Sequence, residues 1–227
     1  MEGGEETLLV PLDDPVVGYL TNGVHVGLKY KSADMKPFIY KIRPDKLCVF
    51  DVSKIDERLK VASRFIASYL PEEVLVVSNR IYGKKSAEQF AKAIGCKAFT
   101  KRWVSGTLTN PNIETFSEPK LLVVTDPTAD QQSIKEAAEM GVAVVAICDS
   151  NTRIKNIDLV VPSNNKGKQS IALIYWVLAR EVAKAHGKKF DMKFEDFVSQ
   201  AEPQEYLIKA QEQLRLYNRK RKKSKRK

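Results

Sequence analysis

The segment from Lys101 to Pro111 carries side chains that are suited to bind a polyanion. Two adjacent cations, Lys101 and Arg102, can neutralise phosphates, and the neighbouring Trp103 offers a face on which a base or a ribose can stack. The apolar residues of the segment follow a period of neither 2 nor 3.6, and turn-forming residues such as Gly106 interrupt it. The pattern predicts an ordered loop. It is either a crossover loop that packs its tryptophan on the core, or a contact surface.

Two carboxylates stand where α/β enzymes place their chemistry. Asp126 and Asp149 each follow a predicted strand, at its carboxyl end. An α/β enzyme or a receiver-like domain is therefore an alternative function, although a receiver needs an acidic pair after its first strand and only Asp51 is found there. Both aspartates also occupy natural turn and cap positions, since Asp126 precedes Pro127 and Asp149 begins an Asp-Ser-Asn-Thr sequence.

A third polar segment follows another predicted strand. Ser78, Asn79 and Arg80 precede a predicted helix whose first turn contains Lys84 and Lys85. This arrangement favours either an anion site at the helix terminus or simple capping of the helix by Ser78 or Asn79.

Motifs for catalysis are missing from the sequence. It contains two histidines, His25 and His186, and neither a glycine-rich nucleotide motif nor a nucleophile elbow. We therefore predict no catalytic residue, no metal site and no cofactor.

An alternation of strands and helices must position these segments. Near-continuous Val, Leu and Ile runs are typical of strands buried on both faces; they lie at 74–77, 121–124, 142–147 and 159–161, after two earlier strands at 39–42 and 47–50. Helical patterns lie at 15–20, 54–70, 83–94, 129–140 and 170–185. Parallel strands joined by helices cross over right-handedly, so the predicted fold class is α/β, a three-layer, doubly wound, mostly parallel sheet.

The positive charge of the chain is concentrated at its end. The formal net charge is +10, and the segment 219–227 alone contains eight cations and no acid, which leaves +2 for the rest. Such a tail is too charged to fold alone and is typical of an arm that binds nucleic acid. The polar helix predicted at 204–217 has a narrow apolar stripe that suits docking on a neighbour.

These patterns predict three parts of the chain. The α/β domain spans 1–190, with a flexible end at 1–11; a C-terminal helical extension spans 191–217; and a disordered basic tail spans 218–227. Three widely spaced cysteines, Cys48, Cys96 and Cys148, indicate reduced thiols rather than disulfides or zinc ligands. Because no segment is apolar enough to be a membrane span or a secretory signal, we expect a cytoplasmic protein with no membrane partner.

Several motifs, in order along the chain, resemble those of small-subunit ribosomal protein S2. The loop matches an Arg-Trp-x-x-Gly-x-x-Thr-Asn signature, and residues 23–27 read Gly-Val-His-Val-Gly. Further similar segments are Met-Lys-Pro-Phe-Ile at 35–39, Thr-Asp-Pro at 125–127, Ser-Ile-Lys-Glu-Ala at 133–137 and Leu-Ala-Arg-Glu-Val at 178–182. The resemblance is to the archaeal and eukaryotic branch, of archaeal type, and spans about Pro15 to Lys189.

The resemblance implies a flavodoxin-like strand order and a non-catalytic structural constituent of the small ribosomal subunit. Its partners would be ribosomal RNA and neighbouring ribosomal proteins, in translation and subunit assembly, with no small-molecule substrate. It would be found in the cytoplasm, bound to the ribosome as part of a ribonucleoprotein. Bacterial-type members carry a helical hairpin after the Trp-containing loop; here only residues 112–121 bridge that gap.

On this hypothesis, cations neutralise phosphates and aromatic faces stack on bases. The predicted RNA-binding residues are Lys29, Tyr30, Lys31, Lys36, Lys101, Arg102, Trp103, Lys166, Lys168, Arg219, Lys220, Arg221, Lys222 and Lys223.

Overall fold

The computed structural model describes residues 15–200, and within this range the chain alternates strands and helices as the sequence predicts. The strands are β1 Ile39–Ile42, β2 Cys48–Phe50, β3 Val74–Val77, β4 Lys97–Phe99, β5 Leu121–Val124, β6 Ala143–Cys148 and β7 Leu159–Pro162. The α-helices are α1 Pro15–Thr21, α2 Val52–Ala67, α3 Ile81–Ile94, α4 Gln131–Met140, α5 Lys168–Ala185 and α6 Phe194–Phe197.

Five strands form one parallel sheet in the order β4-β3-β5-β6-β7. Every residue of β3 and β5 is buried, which is why both strands are unbroken runs of valine and leucine. Numbered within the sheet, the order is 2-1-3-4-5, which is the flavodoxin-like order. The expected fold class and strand order are confirmed.

Two features of the sheet differ from the sequence prediction. The strand β4 was not predicted, because Lys97, Ala98 and Phe99 form neither an alternating pattern nor an apolar run. It pairs in parallel with β3 at the edge of the sheet, where none of its three residues is fully buried and fewer apolar residues are needed. In addition, β1 and β2 pair with each other as an antiparallel hairpin outside the main sheet.

Helices cover the sheet on its two faces. The order reverses direction at β3, so right-handed crossovers place α3 on one face and α4 on the other. The helix α5 packs against both α2 and α3, which form one layer with it. Within this layer, the buried ring of Tyr175 meets Phe90 edge to face at 5.4 Å, and its hydroxyl lies 2.7 Å from Thr125 Oγ1 at the end of β5. The buried tyrosine thus ties α5 to the sheet.

The last described residues pack on the same helical layer. Ser86 Oγ donates to the carbonyl of Phe197 at 2.8 Å, and Trp176 Nε1 donates to the carbonyl of Met192 at 3.1 Å. Phe197, the last residue of the short helix α6, is fully buried. The domain division at 190 stays a prediction. The helix at 204–217, the basic tail and the flexible end at 1–11 lie outside the described residues.

Candidate nucleic-acid interface

The parallel topology brings most of the predicted contact loops to one edge of the sheet. All five strands point the same way, so the loops that follow β4, β6 and β7 leave from the same carboxyl edge. Lys101 and Arg102 follow β4 at one end of this edge, and Lys166 follows β7 at the other. Four strand spacings separate the two ends, a distance of about 19 Å at the usual spacing of strands.

A loop from the start of the chain joins the same edge. Ser150, just after β6, accepts the backbone N–H of Leu28 on its Oγ at 3.0 Å and donates to the carbonyl of Tyr30 at 2.8 Å. The carbonyl of Ser150 accepts the N–H of Ser32 at 2.8 Å. One serine therefore holds the segment 28–32 in place through three hydrogen bonds. Lys29, Tyr30 and Lys31 of that segment are exposed, and Tyr30 is 79% accessible.

The predicted phosphate-binding cations differ in how free they are. Within residues 15–200, the structure gives no side-chain hydrogen bond or carboxylate partner to five exposed cations: Lys29, Lys31, Lys36, Lys101 and Arg102.

The two lysines after β7 are less accessible. Lys166 Nζ lies 3.9 Å from the buried Asp149 Oδ2, and the Lys166 side chain is only one-third exposed. Lys168 is the half-buried first residue of α5. Asn164 orders their loop, because its Oδ1 accepts the backbone N–H groups of Lys166 and Gly167 at 3.0 and 3.1 Å. Lys166 is thus partly neutralised within the chain.

Trp103 is fixed to the helix α4 rather than free at the surface. Its indole Nε1 donates to Glu136 Oε1 at 3.2 Å, and its ring meets Phe99 edge to face at 5.1 Å. The same carboxylate accepts the backbone N–H groups of Gly106 at 3.0 Å and Leu108 at 3.2 Å. The interpretation of this loop as one that packs its tryptophan on the core therefore holds for the ring of Trp103. The two cations beside it, Lys101 and Arg102, are nevertheless exposed.

The carboxylate that fixes the loop is itself unusual. Glu136 is only 3% exposed and lies on the buried side of α4. Burial alone would raise its pKa, but hydrogen bonds from Gly106, Gln132, Leu108 and Trp103 together hold that pKa below its ordinary value. The side chain therefore stays ionised and organises the loop. Gly106 has a φ of 94°, a left-handed conformation that a larger residue would adopt only with strain.

The carboxyl-edge aspartates are used inside the chain. Arg80 Nε donates to the buried Asp126 Oδ2 at 2.5 Å, while Asp126 Oδ1 accepts from the N–H of Thr128 at 3.0 Å and from Asn165 Nδ2 at 3.3 Å. Asp149 accepts the N–H of Ser150 at 2.6 Å, and burial raises the pKa of its carboxyl group. These are turn and ion-pair roles, and the groups offer no exposed carboxylate for chemistry.

The candidate anion site at 78–80 is also occupied by the chain itself. Arg80, its strongest cation, is paired with Asp126. Neither Ser78 nor Asn79 caps α3, whose N-cap is Arg80 with no side-chain cap hydrogen bond, so the capping interpretation is wrong. Instead, α3 begins very close to the sheet, because a Cβ on Gly83 would collide with Ser78 Oγ and Thr125 Cγ2.

A family model matches most of the chain. Residues 19–118 and 112–185 match the model of Ribosomal protein S2. The chain belongs to the ribosomal protein S2 family. Both matched segments include residues on which the sequence resemblance rests, from the Gly-Val-His-Val-Gly segment to the helix α5.

Membership in the ribosomal protein S2 family makes this chain a ribosomal protein of the small subunit, a ribonucleoprotein component in translation. The family is a structural one rather than a family of enzymes. Within residues 15–200, no group of three or more His, Cys, Asp or Glu side chains is placed to hold a metal ion. No helix in that range is both long and apolar enough to cross a bilayer. The archaeal type of this S2 protein stays a prediction.

The sequence interpretation gave no role to three residues of this S2 chain: Glu136, Tyr40 and Lys41. Glu136 was treated only as part of a motif, and the sequence does not distinguish it from the exposed Lys135, which also lies between the apolar positions Ile134 and Ala137. Tyr40 and Lys41 were assigned to a strand without any role. The sequence Ile-Tyr-Lys-Ile favours a strand without an alternating pattern, and three of the four residues of β1 are exposed.

Proposed function

We propose that this ribosomal protein S2 binds ribosomal RNA of the small subunit through the loops at the carboxyl edge of its sheet. It also binds neighbouring ribosomal proteins, as a structural constituent in translation and subunit assembly. The observation that supports this most is the set of exposed, unpaired cations that separate chain segments bring to the same side: Lys29 and Lys31 in one loop, Lys101 and Arg102 in another.

The arrangement of negative and positive charges at the carboxyl edge favours RNA binding. Its aspartates are buried and paired with groups of the chain, while the cations of the segments 28–32 and 101–102 are exposed. A phosphate that approaches the edge therefore meets unpaired positive charge, and each phosphate neutralised releases counterions. The exposed ring of Tyr30 adds a face for stacking, whereas Trp103 supports the loop that carries Lys101 and Arg102.

The remaining contacts in this proposal come from the end of the chain. Arg219, Lys220, Arg221, Lys222 and Lys223 neutralise further phosphates, and the apolar stripe predicted at 204–217 docks on a ribosomal protein. The chain would then be found in the cytoplasm, bound to the ribosome.

Sedimentation of cell lysates tests the proposal. The tagged chain should sediment with small subunits at moderate salt and leave them progressively at high salt, because charge carries much of the attachment. The double variant Lys101→Glu/Arg102→Glu should reduce incorporation strongly. Lys135→Glu, a charge reversal at an exposed position of α4, is the matched control and should incorporate normally. A wild-type chain that stays in the light fractions at both salts would refute ribosomal binding.

A second measurement separates the loop from the tail. Affinity falls as salt rises, and deletion of residues 219–227 should make this dependence less steep. The magnitude of the slope of log affinity against log salt should decrease by about 0.7 to 0.9 for each phosphate that the tail neutralises. An unchanged slope for purified protein and small-subunit RNA would remove the tail from the interface and leave the loops as the binding surface.

A further inference from the structure

An open depression on the β1–β2 hairpin combines positive charge with an exposed aromatic ring. Its volume is about 380 Å³, and its lining residues are Lys31, Lys36, Ile39, Tyr40, Lys41 and Ile42. Half of these residues are lysines, and none is acidic.

The aromatic ring at this depression is available for contact. Tyr40 is 70% exposed, and its ring takes part in no contact with another aromatic ring in the described part of the chain. Lys41 Nζ lies 5.8 Å from the centre of that ring, within the range of a cation–π contact, so the ring and the charge form one surface. Ile42 beside them is 48% exposed.

We propose that this depression binds one unpaired nucleotide of RNA. The base stacks on Tyr40, and Lys31, Lys36 and Lys41 contact its flanking phosphates. The inference rests on the proposed RNA binding and names the form of RNA that this part of the surface takes. Lys31 belongs both to this depression and to the segment held by Ser150, so the RNA path continues from the carboxyl edge of the sheet onto the hairpin.

Unpaired RNA fits the depression better than a duplex does. In an A-form helix the bases stack on one another and their faces are closed to side chains, whereas an unstacked base can lie on an aromatic ring. A protein partner fits less well, because the buried centres of protein interfaces are depleted in lysine, and here three lysines surround the ring. Stacking also needs no particular base, so the site predicts little sequence preference.

Fluorescence anisotropy with the purified full chain tests the proposal. The probes are a labelled single-stranded oligouridine of about twelve nucleotides, enough to span a site of this kind, and a labelled RNA duplex of the same length. Tyr40→Ala should weaken binding of the single strand about tenfold, a typical loss for one base–aromatic stack, and leave the duplex affinity unchanged. Tyr40→Phe keeps the ring and should bind both probes as the wild type does.

Leu70→Ala is the matched control, since Leu70 is also a strongly exposed apolar residue, at 65%. It should change neither affinity. Equal affinities of wild type and Tyr40→Ala for the single strand would overturn the inference, and so would a loss that Tyr40→Phe reproduces. Circular dichroism of each variant checks that the fold is intact.

The lysines provide an independent test. Lys41→Gln should lower the salt slope for the single strand by about 0.7, the value for one phosphate contact to single-stranded nucleic acid. Lys92→Gln, at an exposed position of α3, should leave the slope unchanged. If the wild type sediments with small subunits but Tyr40→Ala and Lys41→Gln bind the single strand normally, the nucleotide site on the hairpin is refuted while the proposed function stands. If the wild type neither sediments with subunits nor binds RNA, the proposed function fails.

Discussion

The Trp103 loop and the β1–β2 hairpin both combine an aromatic ring with adjacent positive charge, yet the structure uses them differently. The indole of Trp103 is hydrogen-bonded to Glu136, and its ring packs against Phe99. Tyr40 instead leaves 70% of its surface open beside Lys41. The ring of Trp103 therefore stabilises its loop, whereas the ring of Tyr40 is accessible to a ligand.

The difference shows that the surroundings of an aromatic residue, rather than its neighbours in sequence, decide whether it can stack on a base. A buried carboxylate such as Glu136 binds a nearby donor, because burying a carboxylate without hydrogen bonds costs free energy. The exposed hairpin offers its tyrosine no such acceptor. If this comparison is right, substitutions in the Trp103 loop reduce stability, whereas substitutions at the hairpin reduce binding.

The largest expected effect is that of Glu136→Ala. The change leaves the N–H groups of Trp103, Gly106 and Leu108 without their acceptor, so the free energy of unfolding should fall by about 3 to 4 kcal/mol. Chemical denaturation measures this decrease. Glu139→Ala, at an exposed position of the same helix, is the control and should change the free energy of unfolding by less than about 0.5 kcal/mol. Equal decreases for the two variants would mean that the carboxylate does not organise the loop.

Substitutions of Trp103 separate the hydrogen bond of its indole from the packing of its ring. Trp103→Ala removes both the hydrogen bond and the packing against Phe99, and should lower the free energy of unfolding by about 2 kcal/mol for this half-buried ring. Trp103→Phe keeps a ring and should cost about 1 kcal/mol, the value of the missing hydrogen bond. If Trp103→Ala instead unfolded like the wild type and weakened RNA binding, the tryptophan would belong with Tyr40.

Acid should release the Trp103 loop before the rest of the domain. The pKa of Glu136 is lower in the folded chain than in the unfolded chain, so its contribution is complete above the unfolded value of about 4.3 and is lost as the pH falls through the folded value. The protection factors of the Gly106 and Leu108 amides, which correct for the intrinsic pH dependence of exchange, should accordingly fall as the pH drops through that folded value. In Glu136→Gln these protection factors should already be low at neutral pH, with little further change in acid.

The smallest expected effect on stability is that of Tyr40→Ala. Because this side chain is exposed on a hairpin outside the main sheet, its removal should change the free energy of unfolding by less than about 0.5 kcal/mol. Thermal unfolding beside the RNA-binding measurement checks this. A decrease above about 1 kcal/mol would show that the ring supports the hairpin, and the contrast with Trp103 would disappear.

The buried strands and helices were largely predictable from sequence. The runs at 74–77 and 121–124 are apolar at every position because both faces of the sheet are covered, and such runs have few other interpretations. The edge strand β4 was missed because Lys97, Ala98 and Phe99 are too few to show a hydrophobic period, and the first of them is charged. Its existence depends on pairing with β3, which is a property of the folded chain.

The candidate site was only partly predictable. Sequence identified the cations of the loops, and the parallel topology explains why segments far apart in the chain share one edge. It left open whether Trp103 was packed or free, because the decisive partner lies more than thirty residues away on α4. It also treated Lys166 like the other lysines, since its approach to Asp149 requires the ends of β6 and β7 to be adjacent.

The short edge strand β4 also affects the chain before it joins a ribosome. An exposed sheet edge can pair with the strand of another molecule, and natural proteins limit this by keeping edge strands short and charged. Here β4 is three residues long and begins with the exposed Lys97. A newly made copy therefore offers other copies little backbone to extend at this edge, which limits self-association and aggregation through β4.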